Sequence, residues 1–122
     1  MIMHTICETH AFRRAADQAG MNEDERSELV SFLAENPMAG DEIVGTGGCR
    51  KVRVAGRGKG KSGGYRTITF FSGEMMPVFL LTVFSKGEKS TLSAKEKSDL
   101  KKLTSLIVDE YEHRVSRVGA NR

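Results

Sequence analysis

Between Glu42 and Glu74 the chain has no acidic residue, while Arg50, Lys51, Arg53, Arg57, Lys59, Lys61 and Arg66 all fall in that interval. The formal charge of +3 over 122 residues is mild. The local imbalance, rather than the total, therefore points to a polyanionic partner. Long apolar runs are also missing. The longest, MMPVFLLTVF, has ten residues, half of the ~20 that a membrane span needs, so no membrane association is expected. The start, MIMHTICETH, has neither a basic n-region nor an apolar h-region and does not read as a signal peptide. Cys7 and Cys49, the only cysteines, form neither a CxxC pair nor a disulfide framework. That usage suits a reducing, cytoplasmic setting. His4, His10 and His113 are scattered, without ligand spacing beside acids or cysteines, so no metal site is expected.

What is present describes one small domain. Hydrophobic content of 39% and charged content of 29% are those of an ordinary globular chain, and 122 residues allow one modest core. Residues 2–7 are apolar and partly β-branched, as in a short strand. Thr9 can cap a helix that Gly20 stops, and Asn22 followed by Glu25 resembles a capping box for a second helix. That helix carries Leu29, Val30, Phe32 and Leu33 as its expected buried stripe and ends before Pro37. From Arg50 onward RKVRV alternates, with Val52 and Val54 on one face and Lys51 and Arg53 on the other. YRTITFF and PVFLLTVF follow as β-rich runs joined by SGEMM. Ser93 and Glu96 form a second capping-box pattern, ahead of Leu100, Leu103, Ile107 and Tyr111 at helical spacing. The tail, residues 115–122, is polar enough to fray. The order β-α-α-β-β-β-α predicts a single α+β domain over 1–122, an antiparallel β-sheet packed against helices.

The stretch AGRGKGKS, residues 55–62, satisfies a relaxed phosphate-loop pattern through Ala55, Gly60, Lys61 and Ser62. Such a loop works because a helix N-terminus follows it and points at the phosphates. Here GGYRTITFF follows, which reads as a strand, so a nucleotide cofactor is not expected. The bland alternative is a solvated hairpin loop. Against it, Lys51 and Arg53 precede the loop on one strand face and Arg66 follows it. The cations form a strand-loop-strand cluster suited to a nucleic-acid backbone.

The runs GTGGCRKVRVAGRGKGKSGGYRTITFF and LLTVFSKGEKSTLSAKEKSDLKKL together resemble the RelE/HigB group of bacterial toxin–antitoxin toxins, over about half the chain. The resemblance implies a ribosome-dependent messenger-RNA endonuclease, paired with a cognate antitoxin protein and requiring no cofactor. It implies further that Lys51 and Arg53 hold the paired basic positions of a strand, that Arg66 stabilises the transition state, and that Lys86 stands at or beside another basic position. The family's C-terminal tyrosine has no match near Ser90–Leu92.

The chemistry agrees with that assignment. Cleavage of RNA by its own 2′-hydroxyl needs proton removal, stabilisation of an anionic phosphorane, and protonation of the leaving 5′ oxygen. Cations can fill all three roles. A free lysine, with a pKa of ~10.4, is a poor base at neutral pH, but neighbouring like charges disfavour its protonated form. Lys51, with Arg53 two residues along, therefore takes the base role. Arg66 and Arg53 stabilise the phosphorane, and Lys86 binds phosphate or acts as acid. Arg57, Lys59 and Lys61, on a glycine-rich loop, suit gripping messenger or ribosomal RNA with Arg50 rather than chemistry, which needs fixed geometry. Two readings without cleavage stand beside this one. A ParE-like gyrase inhibitor would not need the Lys51, Arg53, Arg66 set, and an RNA-binding protein without chemistry would fit the absent tyrosine.

Overall fold

The computed structural model describes residues 3–56, 64–86 and 91–120, with backbone alone from 113 onward. Its elements are β1 (Ile6–Glu8), α1 (His10–Ala19), α2 (Glu23–Glu35), β2 (Asp41–Glu42), β3 (Cys49–Val54), β4 (Tyr65–Phe70), β5 (Val78–Ser85) and α3 (Ala94–Ala120). The strands form one sheet in the order β1-β5-β4-β3-β2. The β3–β4 and β4–β5 pairings are antiparallel, as expected, β2 adds to β3 in antiparallel fashion, and β1 joins the edge of β5 in parallel. The two-residue strand β2 lies outside the order read from the sequence, being too short to leave any alternation.

The helix starts follow their caps. Thr9 Oγ1 accepts from Phe12 N at 3.1 Å and donates to Leu80 O at 2.7 Å, so the residue that begins α1 also fastens it to β5. Asn22 and Glu25 close a reciprocal box at 2.8 Å each way, and Ser93 and Glu96 form another at 2.9 and 3.1 Å. Each box satisfies two backbone donors that a helix N-terminus leaves open.

The sheet is covered on both sides, which is why every residue of β4 is buried. On one face Phe12, Ala16, Met21, Leu29 and Leu33 of the α1–α2 layer pack on Val52, Tyr65, Leu80 and Val83. On the other, Leu92 and Leu100 at the start of α3 pack on Cys49, Ile68, Phe70, Leu81 and Phe84. A bulge in β5 makes this division possible. Thr82 pairs with Ile68 and Leu80 with Thr69, leaving Leu81 as the extra residue. An inserted residue shifts the two-residue alternation. Leu80 and Val83 thus meet one layer, and Leu81 and Phe84 the other.

Two expected core residues are corrected. Phe32 is 48% exposed and Leu103 40% exposed. The inward line of α2 runs through Glu25, Leu29 and Leu33, and that of α3 through Leu100, Thr104, Ile107 and Val108. Buried polar residues took places that an apolar count gave to their neighbours. The helical backbone of α3 continues to Ala120, through most of the stretch whose polarity suggested fraying.

The GTGG segment fastens α3 to the sheet. Thr46 Oγ1 donates to Ile43 O at 2.7 Å and accepts from Cys49 N at 3.1 Å, while Thr104 Oγ1 donates to Thr46 O at 3.1 Å. Gly47 has φ +78°, and a Cβ there would stand 2.5 Å from Thr104 Oγ1. Glycine is required on both counts.

Candidate nucleic-acid interface

Strand alternation separates the cations of β3. Val52 goes to the α1–α2 face, so Lys51 and Arg53 go to the α3 face. Arg53 is directly opposite Arg66 in the β3–β4 ladder, and Lys51 is opposite Ile68 two ladder positions along, the next row on the same face. Side chains directly opposite each other in an antiparallel ladder are near neighbours, so the two facing arginines concentrate positive charge at one place on the sheet. Arg66 is only 6% exposed, and its Nη1 donates to Tyr65 O at 3.3 Å. Lys51 is half-buried and Arg53 exposed. The arrangement is graded, from a held guanidinium under the sheet surface to one at its rim.

The loop that joins β3 to β4 is rooted beside this row. Gly64 has φ +64°, and a Cβ there would fall 2.1 Å from Val54 O. The chain must pass so close that no side chain fits. Arg57, Lys59 and Lys61 lie outside the described residues. β4 opens at Tyr65, a strand where a phosphate-binding loop needs a helix. Lys86 is exposed in the turn after β5, and its N–H donates to Gly64 O at 3.1 Å. That bond brings Lys86 to the same end of the sheet as Arg53 and Arg66.

Arg50 is set apart. It shares the parity of Val52, on the α1–α2 side, and its Nη1 donates to Gly40 O at 3.0 Å. The structure brings together Lys51, Arg53, Arg66 and Lys86 and does not bring Arg50 to that face.

Two further residues border the row. A cleft of about 300 Å³ between β2 and the start of α3 is lined by Asp41, Glu42, Lys51, Thr91 and Lys97, among others. Asp41 is the ladder partner of Lys51. Neither Asp41 nor Lys97 was identifiable in advance. Asp41 belongs to a strand too short to read, and Lys97 is one of several lysines on α3.

The two tyrosines serve elsewhere. The Tyr65 hydroxyl donates toward Glu25 Oε1 at 3.1 Å and Gly20 O at 3.2 Å, inside the α1–α2 core. Tyr111 lies beside Phe79, whose partner Phe70 is at the far end of β4 from Arg66. Cys49 is buried against α3, and burial pushes its thiol pKa up, with the weaker contact to Thr46 acting the other way. Among the described residues no helix is long and apolar enough to cross a membrane.

Fold and site together define a small α+β protein with a cationic row on one sheet face. The RelE toxin of the RelE/RelB toxin–antitoxin system is the family that matches this chain, over residues 4–122. The chain belongs to the RelE toxin family and is a toxin of a toxin–antitoxin module. Among solved structures it is similar to a double mutant of the E. coli toxin RelE in the free state, at 18% identity and a TM-score of 0.49, covering 72% of this chain and 88% of that one.

Proposed function

We propose that this toxin is a ribosome-dependent messenger-RNA endoribonuclease, acting in the cytoplasm without a metal ion and masked by a cognate antitoxin. The observation that carries the reading is the facing pair Arg53 and Arg66, with Lys51 one row along on the same face. The phosphorane formed on 2′-hydroxyl attack carries more negative charge than the ground state, and preorganised cations bind it more strongly than the substrate. Arg66, held by the strand and largely out of water, supplies that stabilisation at no cost in reorganisation, with Arg53 opposite. Lys51 borders the attacking side, and Lys86 borders the leaving oxygen as phosphate binder and acid. Arg57, Lys59 and Lys61 hold messenger or ribosomal RNA.

Primer extension on a defined message, with purified ribosomes and with ribosomes left out, tests the reading. Cuts within codons that require ribosomes are expected. An intact message with folded wild-type protein would overturn it, and a parallel DNA gyrase supercoiling assay would then detect a ParE-like activity.

A further inference from the structure

Asp41 is the residue that a polyanion site should reject. It is the direct partner of Lys51 in the antiparallel β2–β3 ladder, so both side chains leave the sheet on one face with Cβ atoms about 5 Å apart. Both line the cleft between β2 and the start of α3. Asp41 is exposed, and among the described residues its carboxylate takes part in no hydrogen bond or ion pair. A carboxylate here repels the phosphates that the neighbouring cations attract. A role in the reaction would offset that cost.

In-line attack on phosphorus also sets a condition. The group that receives the proton of the attacking hydroxyl and the group that protonates the leaving oxygen must stand on opposite sides of the phosphate. Strand order places Asp41 on β2 at one flank of the cationic row and Lys86 after β5 at the other, with Lys51, Arg53 and Arg66 between. The two residues are three strand spacings apart across the sheet, about 14 Å, and four residues apart along it, about 13 Å, so they face each other over a diagonal of about 19 Å that passes Arg53 and Arg66. The extended Lys86 side chain, one nucleotide's backbone and the Asp41 carboxylate together span that diagonal. An aspartate is ordinarily deprotonated at neutral pH, whereas a lysine must first release a proton to act as base.

We propose that Asp41 is the base that receives the 2′-hydroxyl proton, and that Lys51 beside it acts as a cation on the phosphorane. The inference rests on the endoribonuclease reading above and moves the base role away from Lys51. In the step, the 2′ O–H bond breaks and its proton goes to an Asp41 carboxylate oxygen. The 2′ oxygen bonds to phosphorus, the bond from phosphorus to the 5′ oxygen breaks, and that oxygen leaves with a proton from Lys86. The products are a 2′,3′-cyclic phosphate and a 5′-hydroxyl.

Single-turnover cleavage on message-programmed ribosomes at neutral pH compares wild type with Asp41→Asn and Asp41→Glu. Among the described residues, the charged groups lining the cleft with Asp41 are Lys51 of β3, Lys97 of α3 and Glu42 beside it on β2. The Asn variant is expected to slow cleavage by about 100-fold at saturating protein, with half-saturation unchanged. The Glu variant should recover part of the rate. Asp41→Asn cleaving within about threefold of wild type would overturn the inference while the nuclease reading stands. A wild-type protein that leaves the message intact would overturn both. Thermal melting of the variants keeps a folding defect from imitating the expected loss.

Discussion

Arg66 and Cys49 share the α3 face of the sheet, and burial acts on each through a different property. For Arg66, burial fixes a charge whose field is weakly screened. A lysine cannot reproduce the planar, forked guanidinium. Arg66→Lys should therefore retain the fold and lose most of the cleavage rate, as single-turnover assays would show. Cys49 is neutral when buried, and its raised pKa links to stability. The folded chain keeps the thiol proton to higher pH than the unfolded chain does, so it binds more protons where the two states differ. Stability from this group is whole below about pH 8.5, the ordinary thiol value, and falls as pH rises through the folded pKa. Urea denaturation across that range should show the fall, and Cys49→Ala should flatten it. Tyr65→Phe should cost about 1–3 kcal/mol, because it removes a buried partner of the Glu25 carboxylate. The same titration would measure it.

Among the elements, α3 depends most on a few contacts. It meets the sheet through Leu100, Ile107 and Val108 and meets the GTGG segment through Thr104. Gly47→Ala would put a methyl group 2.5 Å from Thr104 Oγ1 at φ +78°. The expected result is a loss of about 1–3 kcal/mol and faster hydrogen exchange in α3 than in β4. Unchanged exchange in α3 would contradict the docking role given to that segment. The elements also show which signals a sequence carries. Caps at Thr9, Asn22 and Ser93 were legible because a side chain and a backbone donor three residues on suffice to make them. The β3 alternation was legible for the same local reason. β2 was not, because its pairing with β3 is long-range and its two residues have no period. Thr104 was not, because a buried threonine satisfied by a distant carbonyl resembles a solvated one.

For the molecule as a whole, charge is distributed by layer. The α3 face of the sheet carries Lys51, Arg53 and Arg66, and the basic loop joins β3 to β4 beside them. That Lys51, Arg53 and Arg66 share one face was legible because alternation and one loop put them together. Arg50 adjoins them in sequence but not in space, since one residue of offset carries it to the other side of the sheet. Asp41 was invisible for the opposite reason, lying ten residues before its ladder partner Lys51. RNA binding should weaken steeply with salt, and Lys59→Ala should reduce the slope of log affinity against log salt by about 0.7, one released counterion on a single strand. Filter binding at several salt concentrations would measure it.

The central claim is that the α3 face of the sheet, rather than net charge, cleaves RNA. The most direct measurement compares wild type, Arg66→Ala and Arg13→Ala for cleavage of message on programmed ribosomes. The two variants lose the same charge, but Arg13 is exposed on α1, in the layer behind the sheet. Arg66→Ala should lose about 100-fold or more in rate, while Arg13→Ala should cleave as wild type does. Equal losses in the two variants, or full activity in Arg66→Ala, would contradict the account.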